Sequence, residues 1–480
     1  MESKHVVIVG GGIAGLAAAY RLRQNSPDLA LTLIESDHRL GGKIVTERVD
    51  GFVIEGGPDT FLSYKPRGLG LCRELGLEGR LHGTNDKIRR TYVMRNGKLY
   101  ELPEGLTGLI PSRFGPMVKT GLISPLGKLR MGLEFFVPPR SANGDETLAS
   151  FVERRLGHEL YDRMIEPLMS GIYAGDGQQL SLAATFPQLR AVELTHGSLV
   201  KGMLAAKRKP APKPNPLTGT GGAKKWAAFL TPTTGLAEIV EALEARLTGV
   251  DIRLGAQVTC MMRAVEASRG YVVMLDSGES LGADAVILAT PAFVTAELVD
   301  DLDPEMATAL RGITYTSTAT VSVAYSLADI PRPLNAYGYI VPYAEGRDIL
   351  ACTWTSTKFP HRAPDGFGLI RAFIGRAGQA TALEGTDDDL LRLVRQELRA
   401  VLGITDSPLL YRVFRWPRAM PQYTVGHLDR VAAIDNRLSE NPGLFVAGNG
   451  YRGIGIPDCI ASGESAAERA GKFVQALVPV

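Results

Sequence analysis

The first residues in this chain whose types and spacing suit a chemical task are three glycines, Gly10-x-Gly12-x-x-Gly15. They stand between a short apolar run, His5 to Gly10, and a stretch of helical composition, Ile13 to Asn25, and Glu35 closes the next apolar run. In such a strand–turn–helix–strand unit, Gly10 makes the tight turn, Gly12 lets backbone approach a pyrophosphate and Gly15 lets helix and strand pack closely. The helix N-terminus, at Gly11, Ile13 and Ala14, turns N–H donors and a positive dipole end toward phosphates, and Glu35 accepts hydrogen bonds from a ribose. The pattern predicts a bound dinucleotide and leaves NAD and FAD open. A second glycine-rich stretch, GNGYRGIGIPDCIASG from Gly448 to Gly463, again lies between an apolar run and a helical one. No catalytic triad, carboxylate dyad or metal-ligand cluster is evident, and His361 and His427 read as structural.

The whole chain sets the setting for these residues. With 480 residues there is room for two or three domains, each with its own core. Hydrophobic residues make up 45%, charged residues 22%, and the formal charge is +2, which argues against a nucleic-acid partner and for a small molecule. Cys72, Cys260, Cys352 and Cys459 are far apart and form neither a disulfide framework nor a zinc site, so a reducing, cytoplasmic setting is expected. Glycines interrupt the run from Val6 to Tyr20, and the uncharged run from Gly312 to Ala328 is rich in Thr and Ser and reads as buried strands. No transmembrane helix is predicted. Residues from about Ile88 to Met203 read as mostly helical, Lys207 to Lys225 as a mobile basic loop rich in proline, and Asp387 to Leu402 as a helix within a β-rich region.

Further motifs narrow the reading. After Glu35 and Ser36, the residues Arg39, Gly41, Gly42 and Lys43 resemble the extended fingerprint of the flavoprotein amine oxidase and glutathione-reductase-like superfamily, which implies FAD, bound non-covalently. GFVIEGGPDTF (Gly51 to Phe61) and ADAVILATPA (Ala283 to Ala292) resemble strands that end against the cofactor in that superfamily. SGIYAGD (Ser170 to Asp176), LSLAATFPQL (Leu180 to Leu189), HGSLVKGM (His196 to Met203), FRWPRAMPQYTVGH (Phe414 to His427) and GIGIPDCI (Gly453 to Ile460) together resemble the oxygen-dependent porphyrinogen oxidases of haem synthesis. These segments span essentially the whole chain.

The resemblance implies an α/β (α+β) fold, with a Rossmann-like FAD-binding domain of the glutathione-reductase/p-hydroxybenzoate-hydroxylase type. Residues 1–87, 226–295 and 428–480 are expected to form that discontinuous domain. Residues 88–206 are expected to form a mainly helical domain with membrane contact, 207–225 a flexible loop, and 296–427 a mixed-sheet substrate domain. It further implies six-electron oxidation of a porphyrinogen, with O2 as acceptor and hydrogen peroxide released. Pro457, where many relatives carry Asn, and ACTWTSTKFPHRAPDG (Ala351 to Gly366) favour coproporphyrinogen III as substrate, with protoporphyrinogen IX as the alternative. Another flavin oxidase or desaturase, and a non-redox binding protein of the same fold, are the more distant alternatives. A peripheral membrane contact and a homodimer are also expected.

Cofactor contacts implied by the motifs extend to Gly57, Pro58, Asp59 and Thr60 on the diphosphate–ribityl side, Val258 at the adenine and Trp416 near the flavin. Gly448, Gly455, Ile456 and Pro457 are expected at its redox end. Candidate substrate residues are Thr91, Ile340, Lys358, Arg371 and Phe373. Arg371 or Lys358 would face a propionate, Phe373 would pack on the macrocycle, and Thr91 stands where relatives place an arginine, with Arg90 one residue away. The chemistry belongs to the cofactor, so no catalytic acid or base is assigned.

Overall fold

The computed structural model describes residues 3–103, 106–107, 110–111, 114–140, 144–208, 226–264, 270–379 and 381–477. From residue 209 on, the basic loop expected at 207–225 therefore lies outside the described residues. The chain divides into two compact units, one of Met1–Gly83, Ala228–Tyr315 and Leu428–Val480, the other of Thr84–Ala227 and Thr316–His427.

The first unit is built on a parallel sheet of five strands in the order Asp251–Leu254, Ala30–Glu35, His5–Val9, Ala285–Leu288, Leu444–Val446. Its central strands are continuous apolar runs because both faces are covered: Val6, Val7, Ile8, Val286 and Ile287 are all buried. Two helices, Ile13–Asn25 and Ile456–Ala476, pack side by side along the sheet. Small residues are frequent among their buried positions, Ala14, Gly15, Ala17, Ala18 and Ala19 on one and Gly463, Ala466, Ala467, Ala470 and Gly471 on the other, and Gly463 meets Ala14 directly. That composition lets the two backbones approach closely. An antiparallel three-stranded sheet, Val258–Arg263, Tyr271–Leu275 and Ser280–Ala283, completes the core of this unit.

The second unit centres on a mixed sheet in the order Leu410–Pro421, Tyr315–Ser326, Phe367–Ile374, Ile349–Trp354, Gly338–Ile340, Tyr92–Arg95, Lys98–Glu101. Alternation puts Val321, Val323, Cys352, Trp354, Ile370, Ala372 and Ile374 on one face, where the helix Asp387–Leu402 covers them with Leu390, Val394, Leu398 and Val401. Thr386 and Asp389 cap that helix reciprocally, at 3.3 and 2.9 Å, and Gly403 ends it at φ 78°. The run from Gly312 to Ala328, expected as strands, is the twelve-residue strand Tyr315–Ser326. Among the described residues, no helix is long and apolar enough to cross a membrane.

The stretch read as mostly helical differs at its start. Residues Tyr92–Arg95 and Lys98–Glu101 form a hairpin in the sheet, turned by Asn96 and Gly97 at φ 49° and 70°. An Asn-Gly pair is the residue choice of a tight hairpin turn, and it outweighs the surrounding helical spacing. Further on the helices appear, including Leu148–Leu156, Glu166–Tyr173, Pro187–His196 and Leu199–Arg208.

Candidate functional site

The first glycine turn shows why each of its residues is small. Gly10 has φ 104°, and a Cβ there would stand 2.9 Å from the Ala289 carbonyl oxygen. At Gly15 a Cβ would lie 1.9 Å from the carbonyl oxygen of Gly10, and at Gly11 it would lie 2.6 Å from Leu40 Cδ2. Protein therefore fills the space at these three. At Gly12 a Cβ would meet nothing within 4 Å. Gly12 is also the N-cap of Ile13–Asn25, which begins with no side-chain cap and no acidic residue in its first turn. The first-turn N–H groups of this helix have no intrahelical partner and no side-chain cap, and the space beside Gly12 is open, so the cradle fits the pyrophosphate of a dinucleotide.

Glu35 and the following loop are locked to this turn. The Glu35 carboxylate accepts from the Gly11 N–H at 2.7 Å, the Asp37 N–H at 2.9 Å and the Ser36 hydroxyl at 3.2 Å. Oε1 takes two of these bonds and Oε2 one, so Oε2 retains acceptor capacity for a ribose hydroxyl. The Gly41 N–H donates to the Gly11 carbonyl at 2.9 Å, and the Cβ position of Gly42 lies 3.2 Å from Gly12 Cα, so this second loop is laid over the first. Arg39, expected at the cofactor, donates its guanidinium to the carbonyls of Gly42 at 2.6 Å, Leu40 at 3.2 Å and Ile44 at 3.3 Å. It shapes the loop that approaches the cradle. Lys43 follows, and burial pushes its ammonium down to about 8.

Val258 is brought to the Glu35 side, because the Ala256 N–H donates to the Glu35 carbonyl at 3.1 Å and Val258 packs in one cluster with Ile34. Gly57, Pro58, Asp59 and Thr60 follow the strand Phe52–Glu55, and the Gly56 N–H donates to the Val45 carbonyl at 2.8 Å, which returns this turn to the same loop. Trp416 is carried by the second unit, on the strand Leu410–Pro421.

The second glycine stretch occupies the other side of the cradle. Glu35 ends the strand on one side of His5–Val9, and Leu444–Val446 lies two strands away on the other side. Gly448, at φ 121°, continues from that strand, and its N–H donates to Ser462 at 3.1 Å. A Cβ on Gly463 would lie 2.0 Å from the Ala14 carbonyl oxygen, and one on Gly471 would meet Leu22, so the two helices run parallel with one offset. Ala461 is thus the counterpart of Gly12, and the N-cap Gly455 stands six residues, about 9 Å, ahead of it. A dinucleotide with its pyrophosphate at Gly12 and its adenosine at Glu35 would direct its other half across the sheet toward Gly448, Gly455, Ile456 and Pro457.

Two charged residues at this end were not assigned a role from the sequence. Asp458, in the first turn of Ile456–Ala476, accepts from the Gly455 N–H at 3.1 Å and pairs with Lys65 Nζ at 2.5 Å. An acidic residue three positions after the cap is a readable sequence signal. Lys65 carried none, being 393 positions away in the chain.

In the second unit, the face of the mixed sheet away from Asp387–Leu402 collects most of the expected substrate residues. One cross-strand row runs Thr320, Phe373, Ala351, Ile340, Val93, and the next runs Ser322, Arg371, Thr353. Ile340, Arg371 and Phe373 therefore share a face, and Thr91 precedes Val93 by one period of alternation. Arg371 is only 3% exposed, and its guanidinium carbon lies 4.7 Å from the Phe373 ring centroid. Lys358 is the exception. The chain leaves the sheet at Trp354 and turns into the short helix Thr355–Lys358, where the ammonium lies 5.2 Å from the Phe359 ring centroid. His427 is fully buried and stacked on Tyr423 at 3.9 Å, a packing role, and His361 packs edge-on to Phe359.

An open, uncapped helix N-terminus, an acidic strand end on one side and a second helix N-terminus on the other define a protein of the α/β dinucleotide-binding class. A reduced UDP-galactopyranose mutase shares the fold, with TM-score 0.70 at 15% identity, covering 99% of this chain and 98% of that one. Residues 13–470 match the family of flavin containing amine oxidoreductases, and the chain belongs to that family. Its cofactor is FAD. A coproporphyrinogen III oxidase of Bacillus subtilis is 38% identical, covering 96% of this chain and 97% of that protein. A protoporphyrinogen oxidase of Homo sapiens is 33% identical, with the same coverage of 96% and 97%. A solved structure from Exiguobacterium sp. 255-15 has a TM-score of 0.84 at 35% identity, covering 98% of this chain and 99% of that one.

Proposed function

We propose that this protein oxidises coproporphyrinogen III to coproporphyrin III in haem synthesis, removing six electrons and passing them to dioxygen as hydrogen peroxide. The observation that carries the substrate reading is the buried guanidinium of Arg371 beside Phe373 and Ile340 on one sheet face. A porphyrinogen is a broad apolar ring system with carboxylate arms, and such a face meets both demands. The relatives named coproporphyrinogen III oxidase, at 35–38% identity, stand above those named protoporphyrinogen oxidase, at 30–33%, in support of the same ordering.

Bound FAD supplies the two-electron oxidation of a methylene bridge and the return of those electrons to dioxygen, in three rounds per macrocycle. The chain supplies position. Gly12 and the first turn of Ile13–Asn25 hold the diphosphate, Glu35 the ribose, and Gly455 to Pro457 the redox half. Arg371 anchors a propionate in a charge-assisted hydrogen bond, and Phe373 and Ile340 carry the ring system. Thr91 offers no charge, and Arg90 stands one residue away from the position where some relatives place an arginine.

Leu126, Leu129, Leu133 and Phe136, which are 79%, 64%, 48% and 78% exposed, crowd one short segment with Lys128 beside them. This segment is the peripheral contact with a lipid surface.

The deciding measurement is kcat/KM for coproporphyrinogen III against protoporphyrinogen IX, with peroxide and porphyrin fluorescence followed in air. A preference for protoporphyrinogen IX overturns the substrate assignment. Flavin-loaded protein that yields neither peroxide nor porphyrin overturns the activity.

A further inference from the structure

The helix Ile456–Ala476 is directed at the half of the cofactor that accepts electrons, yet its first turn carries a carboxylate. Asp458 stands at its third position, satisfies the Gly455 N–H at 3.1 Å and is 20% exposed. A negative charge there offsets the positive dipole end that would otherwise favour charge on a reduced flavin. Lys65 Nζ lies 2.5 Å from the same Asp458 oxygen. It is the N-cap of Pro66–Glu74, and two residues on, Arg67 Nε meets Glu464 at 2.5 Å, so the start of that helix is bound to Ile456–Ala476 at two points.

We propose that Lys65 sets the electrostatics of flavin reduction: by offsetting Asp458 it keeps the end of Ile456–Ala476 net positive toward the redox half of FAD. The role is one of positioning charge and needs no contact with substrate. Arg67 and Glu464 already tie the two helices together, so the Lys65–Asp458 pair is not required as a clamp. Lys43, next to Cys459, adds a second cation to this end of the helix. The inference rests on the flavin-site reading above.

The test uses flavin-loaded protein and sulfite, which adds to oxidised flavin and leaves negative charge on the ring. Lys65→Met weakens sulfite binding about two- to fivefold and lowers the reduction potential, whereas Asp458→Asn tightens binding by a similar factor and raises the potential. Lys65→Arg stays near the parent protein. Both Lys65→Met and Asp458→Asn break the pair, so a purely mechanical clamp would move both in one direction, and that result overturns the proposal. So do unchanged sulfite affinities. If Lys65→Met loses its flavin, Asp458→Asn decides alone, with tighter sulfite supporting the proposal and weaker sulfite overturning it. A parent protein that binds no flavin instead overturns the site reading on which the proposal rests.

Discussion

Gly463 sits so close to Ala14 that a Cβ on it would lie 2.0 Å from the Ala14 carbonyl oxygen, whereas a Cβ on Gly12, two residues earlier, would meet nothing within 4 Å. The two glycines answer to different constraints. Gly463→Ala drives the two helices apart and costs about 3 kcal/mol, the upper end for overpacking, seen as a lowered denaturation midpoint even without cofactor. Gly12→Val leaves the apoprotein's denaturation midpoint near the parent value and abolishes FAD retention, read from the flavin absorbance of the purified protein. Normal flavin content in Gly12→Val would displace the pyrophosphate from this turn.

Lys43 makes cofactor binding depend on pH. Burial lowers its ammonium from 10.5 to about 8, and the facing Cys459 thiol, pushed up to about 12 by burial, stays neutral across that window. Between these two values the folded apoprotein has released a proton that the unfolded chain keeps, so apoprotein stability rises as pH climbs through the window. The diphosphate of FAD favours the charged form, so binding takes up a proton and affinity falls above pH 8 or so. Titrating apoprotein with FAD from neutral to alkaline pH shows this decline, and Lys43→Met flattens it.

A buried ion pair anchors the helical part of the second unit. Arg155 and Glu134 are both fully buried, with Arg155 Nε 2.8 Å from the Glu134 carboxylate and further bonds to the carbonyls of Val137 and Gly197 at 3.0 Å. Burial alone would raise the Glu134 carboxyl, but the Ser198 hydroxyl, the Leu199 N–H and Arg155 hold it below the ordinary range. Arg155→Met strands that carboxylate and costs about 3–5 kcal/mol, measured by urea denaturation. Pairing it with Glu134→Gln recovers part of the loss.

What could be read from the sequence was what local chemistry determines. Gly10 to Gly15 with Glu35 form one contiguous unit, and the helix Asp387–Leu402 carries its own cap in Thr386 and its own stop in Gly403. The face shared by Ile340, Arg371 and Phe373 was legible only in part. Alternation says that neighbouring residues on a strand oppose each other, but the register between strands decides that Phe373 and Ile340 fall in one row. That Lys358 lies off the sheet was not legible for the same reason, since nothing local shows that the strand ends at Trp354. Lys65 and Asp458 meet only through the packing of two helices, and no periodicity announces such a pair.

The apolar segment around Leu126 and Phe136 predicts measurable partition onto vesicles of anionic lipid. Burying either side chain in the acyl boundary contributes about 1.5–3 kcal/mol, so Leu126→Glu with Phe136→Glu lowers vesicle co-sedimentation at least about tenfold. Turnover of porphyrinogen in detergent-free buffer stays at the parent value, because neither residue belongs to the sheet face or the cofactor cradle. Equal sedimentation of parent and double variant would leave this surface without a lipid role.

Arg371 provides the sharpest test of the substrate face. A hydrogen bond to a charged group contributes about 1.5–3 kcal/mol, so Arg371→Leu raises KM for coproporphyrinogen III by about tenfold to a hundredfold. FAD content stays unchanged, since Arg371 lies in the second unit and the diphosphate cradle in the first. Arg371→Lys keeps the charge but loses the planar fork, and recovers only part of the affinity. The comparison that separates recognition from stability is the substrate without carboxylates: a porphyrinogen whose propionates are esterified should bind parent and Arg371→Leu alike. If Arg371→Leu instead lowers kcat with KM unchanged for both forms, the residue supports the sheet and does not hold a propionate.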